Sequence, residues 1–134
     1  MTRFFDSNVL VYAFAEEERT LRARAVLKIG GVISVQVLNE FANVARRKLR
    51  FDWPAVHTAL EVIRSRCRPP LSLTDELHRD GLRVAERYVL SLYDGLIVAA
   101  ALAARCDVLW SEDMQHGLVV DGSLRIINPF LPIH

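Results

Sequence analysis

Three carboxylates stand next to apolar segments in this sequence. Asp6 directly follows Phe4-Phe5, Asp113 follows Val108-Leu109-Trp110 after Ser111-Glu112, and Asp94 opens the apolar stretch Gly95 to Ala104. In open parallel sheets, ligands bind beyond the carboxyl ends of the strands, where Asp6 and Asp113 would lie. A helix apolar around its whole circumference is buried, so Asp94 begins a central helix. Each acid also has a local structural use. Asp6-Ser7-Asn8 is good N-capping chemistry, Asp113 suits a solvated turn, and Ser91-x-x-Asp94 has capping-box spacing. Capping and cation binding are compatible, because a helix start stabilises a carboxylate. A fourth acid, Glu40, is not selected by its helical wheel. Leu38, Phe41, Ala42, Ala45 and Leu49 form the apolar face, and Glu40 lies at the edge of the polar arc with Asn43 and Arg47.

The elements that would hold these acids alternate between short β-type runs and longer helical patterns. Strands are expected at Arg3-Phe4-Phe5, Val32-Ile33, Leu71-Ser72-Leu73, 107–110 and 124–127. Helices are expected at 8–15, at 20–29 before Gly30-Gly31, and from the Ser34 cap to about Leu49. Three more follow: one opened by Trp53-Pro54, one capped by Thr74, and one from Ser91 through Arg105. Such alternation predicts a single three-layer α/β/α domain over residues 1–134, with a central parallel sheet of about five short strands.

Composition narrows the rest. The chain has 134 residues, 51% hydrophobic and 25% charged, as expected for an ordinary globule. The longest apolar run, Leu96 to Ala104, is roughly half of the ~20 residues that span a bilayer, and the N-terminal segment lacks a signal-peptide pattern. The expectation is a cytoplasmic protein with no membrane partner. Cys67 and Cys106 lack CxxC spacing and join no zinc pattern, so they read as buried or idle thiols. Net charge is +1, but residues 46–68 carry +5 and residues 69–134 carry −4. The basic segment, with Arg46, Arg47, Lys48 and Arg50, is either a solvated helix face or a track for a phosphate backbone. Phe51 and Trp53 read as core aromatics, with base stacking as the alternative.

Taken together, these segments resemble PIN domains. Phe4-Phe5-Asp6-Ser7-Asn8-Val9-Leu10-Val11-Tyr12-Ala13 is similar to the family's opening motif, and Ser34-Val35-Gln36-Val37-Leu38-Asn39-Glu40-Phe41 to its second. Ser91-Leu92-Tyr93-Asp94-Gly95-Leu96-Ile97-Val98-Ala99-Ala100-Ala101 resembles the third. Ser111-Glu112-Asp113-Met114-Gln115-His116-Gly117 and Asn128-Pro129-Phe130 resemble the last. The four motifs run in order over nearly the whole chain. The short length resembles the VapC-type toxins of prokaryotic toxin–antitoxin pairs. Gly95 stands where many relatives carry Ala, which by helix propensity loosens the helix start.

The resemblance implies a catalytic cluster of Asp6, Glu40, Asp94 and Asp113. Asp6 and Asp94 would be direct metal ligands, Glu40 would bind through or position water, and Asp113 would complete the cluster. Converging carboxylates repel one another, and a divalent ion with hard-oxygen preference relieves that repulsion. The implied cofactor is Mg²⁺, with Mn²⁺ as substitute, and the implied activity is endoribonuclease hydrolysis. Asn8 and Ser111 would orient these acids or contact phosphate, with turn and capping roles as the alternative. Implied partners are an RNA substrate, a cognate antitoxin, and a second copy in a homodimer or a higher toxin–antitoxin assembly. Two other readings keep the fold: a catalytically silent RNA- or protein-binding module, and a housekeeping RNA-processing nuclease. A phosphoacceptor receiver domain is disfavoured, because neither Lys28 nor Lys48 lies near a late strand. A haloacid-dehalogenase-type phosphatase needs Asp-x-Asp, and Asp6-Ser7-Asn8 supplies an amide instead.

Overall fold

The computed structural model describes residues 1–132. Residues 133 and 134, the end of the expected domain, lie outside the described residues. Strand β1 (Arg3–Phe5) leads into helices α1 (Ser7–Phe14), α2 (Thr20–Ile29), α3 (Val35–Arg47), α4 (Trp53–Arg66), α5 (Asp75–Tyr88) and α6 (Leu92–Ala103). Strands β2 (Val108–Trp110), β3 (Val119–Val120) and β4 (Leu124–Ile127) follow. All six helices lie where their periodicity and caps place them. Ser34, Asp52, Thr74 and Ser91 each accept a hydrogen bond from a backbone N–H in the first turn of the following helix.

The sheet order is β1-β2-β4-β3, parallel at the first two pairings and antiparallel at the last. The further parallel strands expected at Val32-Ile33 and Leu71-Ser72-Leu73 fall on the far side of β1. There Gly31–Ser34 and Cys67–Leu71 run alongside in parallel, joined by the single bridges Phe4↔Val32, Gly31↔Cys67 and Ser34↔Leu71. Pro69 and Pro70 carry no N–H to donate, which keeps this edge from becoming a full ladder. Strand β3 went unread because its two residues show no alternation. It is an antiparallel edge folded onto β4 across a turn in which Asp121 and Gly122 adopt positive φ.

Phe4, Phe5, Leu109, Leu124 and Ile126 carry the sheet into the core, where they meet Leu10, Ile33, Phe41, Ile63 and Ile97. Helix α6 is buried along its whole Gly95–Ala101 stretch, as its apolar circumference requires. It can lie so close to α5 because both helices offer a glycine at the contact. A Cβ on Gly95 would meet the Gly81 carbonyl oxygen at 2.5 Å, and one on Gly81 would meet Leu96 Cδ2 at 2.7 Å. Gly95 is therefore a packing requirement, and its lower helix propensity is the lesser effect. Among the described residues, no helix is long and apolar enough to cross a membrane.

Candidate active site

The parallel register places the ends of β1 and β2 side by side. Phe5 pairs with Trp110, and the Asp6 N–H donates to the Trp110 carbonyl at 3.0 Å. The next residue of each strand, Asp6 and Ser111, therefore emerges at the same sheet edge. The Ser111 hydroxyl donates to Asp6 Oδ2 at 2.7 Å. Asp6 also caps α1, accepting from the Ser7 N–H at 2.7 Å, so its capping and site positions coincide.

Asn8 ties the two strand ends further. Its Nδ2 donates to Asp6 Oδ2 at 3.2 Å and to Asp113 Oδ2 at 3.1 Å, while its Oδ1 accepts from the Glu112 N–H. The Glu112 side chain faces the opposite way. Its carboxylate accepts from the Tyr12 hydroxyl at 2.6 Å and from Arg19 Nε at 2.7 Å, anchoring the 111–113 loop to α1 and the α1–α2 turn. From α3, Glu40 Oε2 accepts from Gln36 Nε2 at 3.0 Å, and the Ser7 hydroxyl lies 3.5 Å from Glu40 Oε1. From α6, Asp94 sits in the first turn, its N–H held by the Ser91 hydroxyl.

The four acids differ in exposure. Asp6 is buried, Glu40 and Asp94 are half-buried, and Asp113 is exposed. Burial drives the Asp6 carboxyl up to about 7, against the hydrogen bonds from Ser111 and Ser7, and the charges of Asp94 and Glu40 push it further. Glu40 and Asp94 are raised too, in each case first by burial. Asp94 and Asp113 add repulsion at Glu40, and Asp113 adds it at Asp94. Among the described residues, none of the four makes an ion pair. The structure thus brings the four acids into one mutually repelling neighbourhood. They do not form a closed cage: among the described residues, no three His, Cys, Asp or Glu side chains converge as a ready-made ligand set. Mg²⁺ does not need one, since it keeps several waters and takes one or two carboxylates. The donor set is all hard oxygen and suits such an ion.

A family model described as PIN domain matches residues 3–118. The chain belongs to the PIN domain family. The PIN fold is shared with three solved structures. One is Mycobacterium tuberculosis VapC20, described as a Sarcin-Ricin loop cleaving toxin (TM-score 0.70, 17% identity, 84% of this chain and 90% of that one). Another is a toxin–antitoxin complex from Klebsiella pneumoniae (TM-score 0.70, 19% identity, 96% and 98%). The third is VapBC2 from Rickettsia felis, bound to a DNA fragment from their promoter (TM-score 0.67, 17% identity, 96% and 100%). Among curated proteins, no match reaches significance.

Two polar residues at this PIN site were missed in the sequence, Ser7 and Gln36. Gln36 was detectable, since it lies four residues before Glu40 and so on the same helix face. Ser7 was absorbed into the capping reading of Asp6. Arg46, Arg47, Lys48 and Arg50 are all exposed, but Arg46 is also engaged locally, donating to the Phe51 carbonyl at 2.9 Å and lying over the Trp53 ring. Phe51 packs against the core as expected, but Trp53 does not. Both cysteines are free, and burial pushes their thiols up to about 11, which disfavours the reactive thiolate.

Proposed function

We propose that this PIN domain, acting as one unit, is a Mg²⁺-dependent endoribonuclease and the toxin of a type II toxin–antitoxin pair. The observation that carries this reading is the gathering of four carboxylates, one of them buried, with no basic partner among the described residues. Such an arrangement costs stability unless a cation joins it. A bound divalent ion, Mg²⁺ or its substitute Mn²⁺, would supply Lewis-acid polarisation of the phosphodiester and a lowered pKa for attacking water.

Asp6 and Asp94 would hold the ion, one at a strand end and one at a buried helix start. Ser111 and Asn8 would keep Asp6 Oδ2 turned into the site, and Asn8 would carry Asp113 with it. Glu40 would orient the attacking water and take its proton. Gln36 donates to Oε2 at 3.0 Å, whereas Oε1 receives only the longer 3.5 Å contact from the Ser7 hydroxyl, so Oε1 would be the acceptor. The raised pKa of Glu40 brings its basicity closer to neutral pH, as a general base requires. The fold likeness to a toxin described as Sarcin-Ricin loop cleaving and to two toxin–antitoxin structures supports the substrate class and an antitoxin partner.

The test is induction in bacterial cells beside a stably folded Asp94→Asn variant, with mapping of RNA ends. The expected result is growth arrest with discrete new RNA ends for the unaltered protein alone, relieved by co-expressing its cognate antitoxin. Arrest by both proteins, or arrest without new RNA ends, would overturn the reading.

A further inference from the structure

Trp53, the first residue of α4, is 58% exposed. The Asp52 cap, accepting from the Ala55 N–H at 2.9 Å, fixes the helix start beneath it. The Arg46 guanidinium lies over the indole, 4.5 Å from the ring centroid, and is itself held by the Phe51 carbonyl. One part of the ring is thus covered by a cation and the rest is open to solvent. Ala42, Asn43, Arg46, Arg47 and Trp53 line a concavity of about 520 Å³ at this place.

Helix α3 links the concavity to the acidic site, since Ala42, Asn43, Arg46 and Arg47 follow Glu40 along it. Glu40, Asn43 and Arg47 are spaced i, i+3 and i+7, so they share a face of α3. At 1.5 Å per residue, Arg47 stands about 10 Å beyond Glu40, a short step along an extended strand. Beyond Arg47, the exposed Lys48 and Arg50 continue the positive charge, and Arg50 is turned by a positive φ of 57°. The arrangement thus has acids where the strand would be cut, then an amide, then cations beside an aromatic plate.

We infer that Trp53, braced by Arg46, is a nucleobase-stacking subsite for an unpaired nucleotide flanking the scissile bond, with Arg47 contacting its phosphate. The inference rests on the ribonuclease reading and adds to it a place for the substrate strand. An aromatic plate with cationic neighbours accepts any base, because stacking uses the π-face rather than the base edge. The subsite therefore selects single-stranded RNA over duplex and contributes little base identity.

The experiment uses the Asp94→Asn protein, so that RNA is bound without being cut. An unpaired RNA of about eight nucleotides is titrated while tryptophan fluorescence is followed, beside an abasic strand of the same length. The expected result is quenching by the RNA, weaker binding of the abasic strand, and loss of quenching with Trp53→Leu although Trp110 remains. Affinity should fall about tenfold in Trp53→Leu and recover most of the way in Trp53→Phe. Equal affinity of the Trp53→Leu protein, or of the abasic strand, would overturn the subsite. A change of oligomeric state in Trp53→Leu by sedimentation would assign this surface to a second copy and also overturn it. The two readings fail separately. Quenching through Trp53 in a protein that cuts no RNA would keep the subsite and refute the nuclease. Cleavage with KM unchanged in Trp53→Leu would do the reverse.

Discussion

Asp6 is the residue on which the site's electrostatics turn. Its carboxyl is held up to about 7 in the folded chain against an ordinary 3.8, so between those values the folded state binds more protons than the unfolded one. Stability of the metal-free protein should therefore fall as pH rises from about 4 to about 7 and level off above. The melting temperature should be higher at pH near 5.5 than near 7.5, and Asp6→Asn should flatten that slope while keeping a capping side chain. A slope unchanged in the variant would remove Asp6 as its source. Added Mg²⁺ should raise the melting temperature chiefly at the higher pH, where Asp6 is ionised. Ser111 acts through the same atom. Ser111→Ala removes the 2.7 Å hydrogen bond to Asp6 Oδ2 and should weaken Mg²⁺ binding about 10- to 100-fold by calorimetry. An unchanged affinity would confine Ser111 to its loop. At this scale much was legible, because Asp6, Asp94 and Asp113 each follow or open an apolar segment. Glu40 was not, since a half-buried acid at the edge of a polar arc looks like a solvated one until Gln36 and Ser7 are seen beside it.

The helices were readable because their caps and 3.6-residue patterns are local: Ser34, Thr74 and Ser91 cap where they were expected, and the helix opened by Trp53-Pro54 is capped by Asp52. The sheet edges were less so. Val32 and Leu71 carry β-type residues, yet whether a segment becomes a ladder or a single bridge depends on its neighbours and on Pro69-Pro70. Helix packing is equally non-local, and Gly95 shows the consequence. Propensity alone makes Gly95→Ala stabilising by roughly 1 kcal/mol. The Cβ would lie 2.5 Å from the Gly81 carbonyl oxygen, a backbone atom that cannot rotate away. The packing effect is larger, so Gly95→Ala should destabilise the protein by about 1–3 kcal/mol in urea unfolding. It should also lower activity, because Asp94 is the adjacent residue. A gain in stability would show that α5 and α6 separate easily.

For the whole molecule, the +1 net charge conceals the arrangement that matters. Within the +5 segment 46–68, Arg46, Arg47, Lys48 and Arg50 cluster at the C-terminal end of α3, beyond Glu40, whereas the −4 of residues 69–134 is spread over α5, α6 and the strand loops. RNA affinity should therefore depend on salt through only a few neutralised phosphates. Replacing Lys48 and Arg50 by Ala should reduce the slope of log affinity against log salt by about 0.7 for each phosphate that is no longer neutralised. An unchanged slope would place the strand elsewhere on the surface. Charge distribution was readable from the chain, but the exposure of Trp53 was not, because a tryptophan at a helix start ordinarily packs inward.

The central claim is that the four-carboxylate site cleaves RNA with a divalent ion, and metal-dependent cleavage in vitro tests it most directly. Purified protein and structured RNA are combined with Mg²⁺ or Mn²⁺, with EDTA, and with Asp94→Asn of matched thermal stability. The account predicts cleavage that EDTA abolishes and that falls about a thousandfold or more in the variant, the several kcal/mol that metal catalysis supplies. Cleavage that ignores EDTA, or an Asp94→Asn protein as active as the unaltered one, would contradict it.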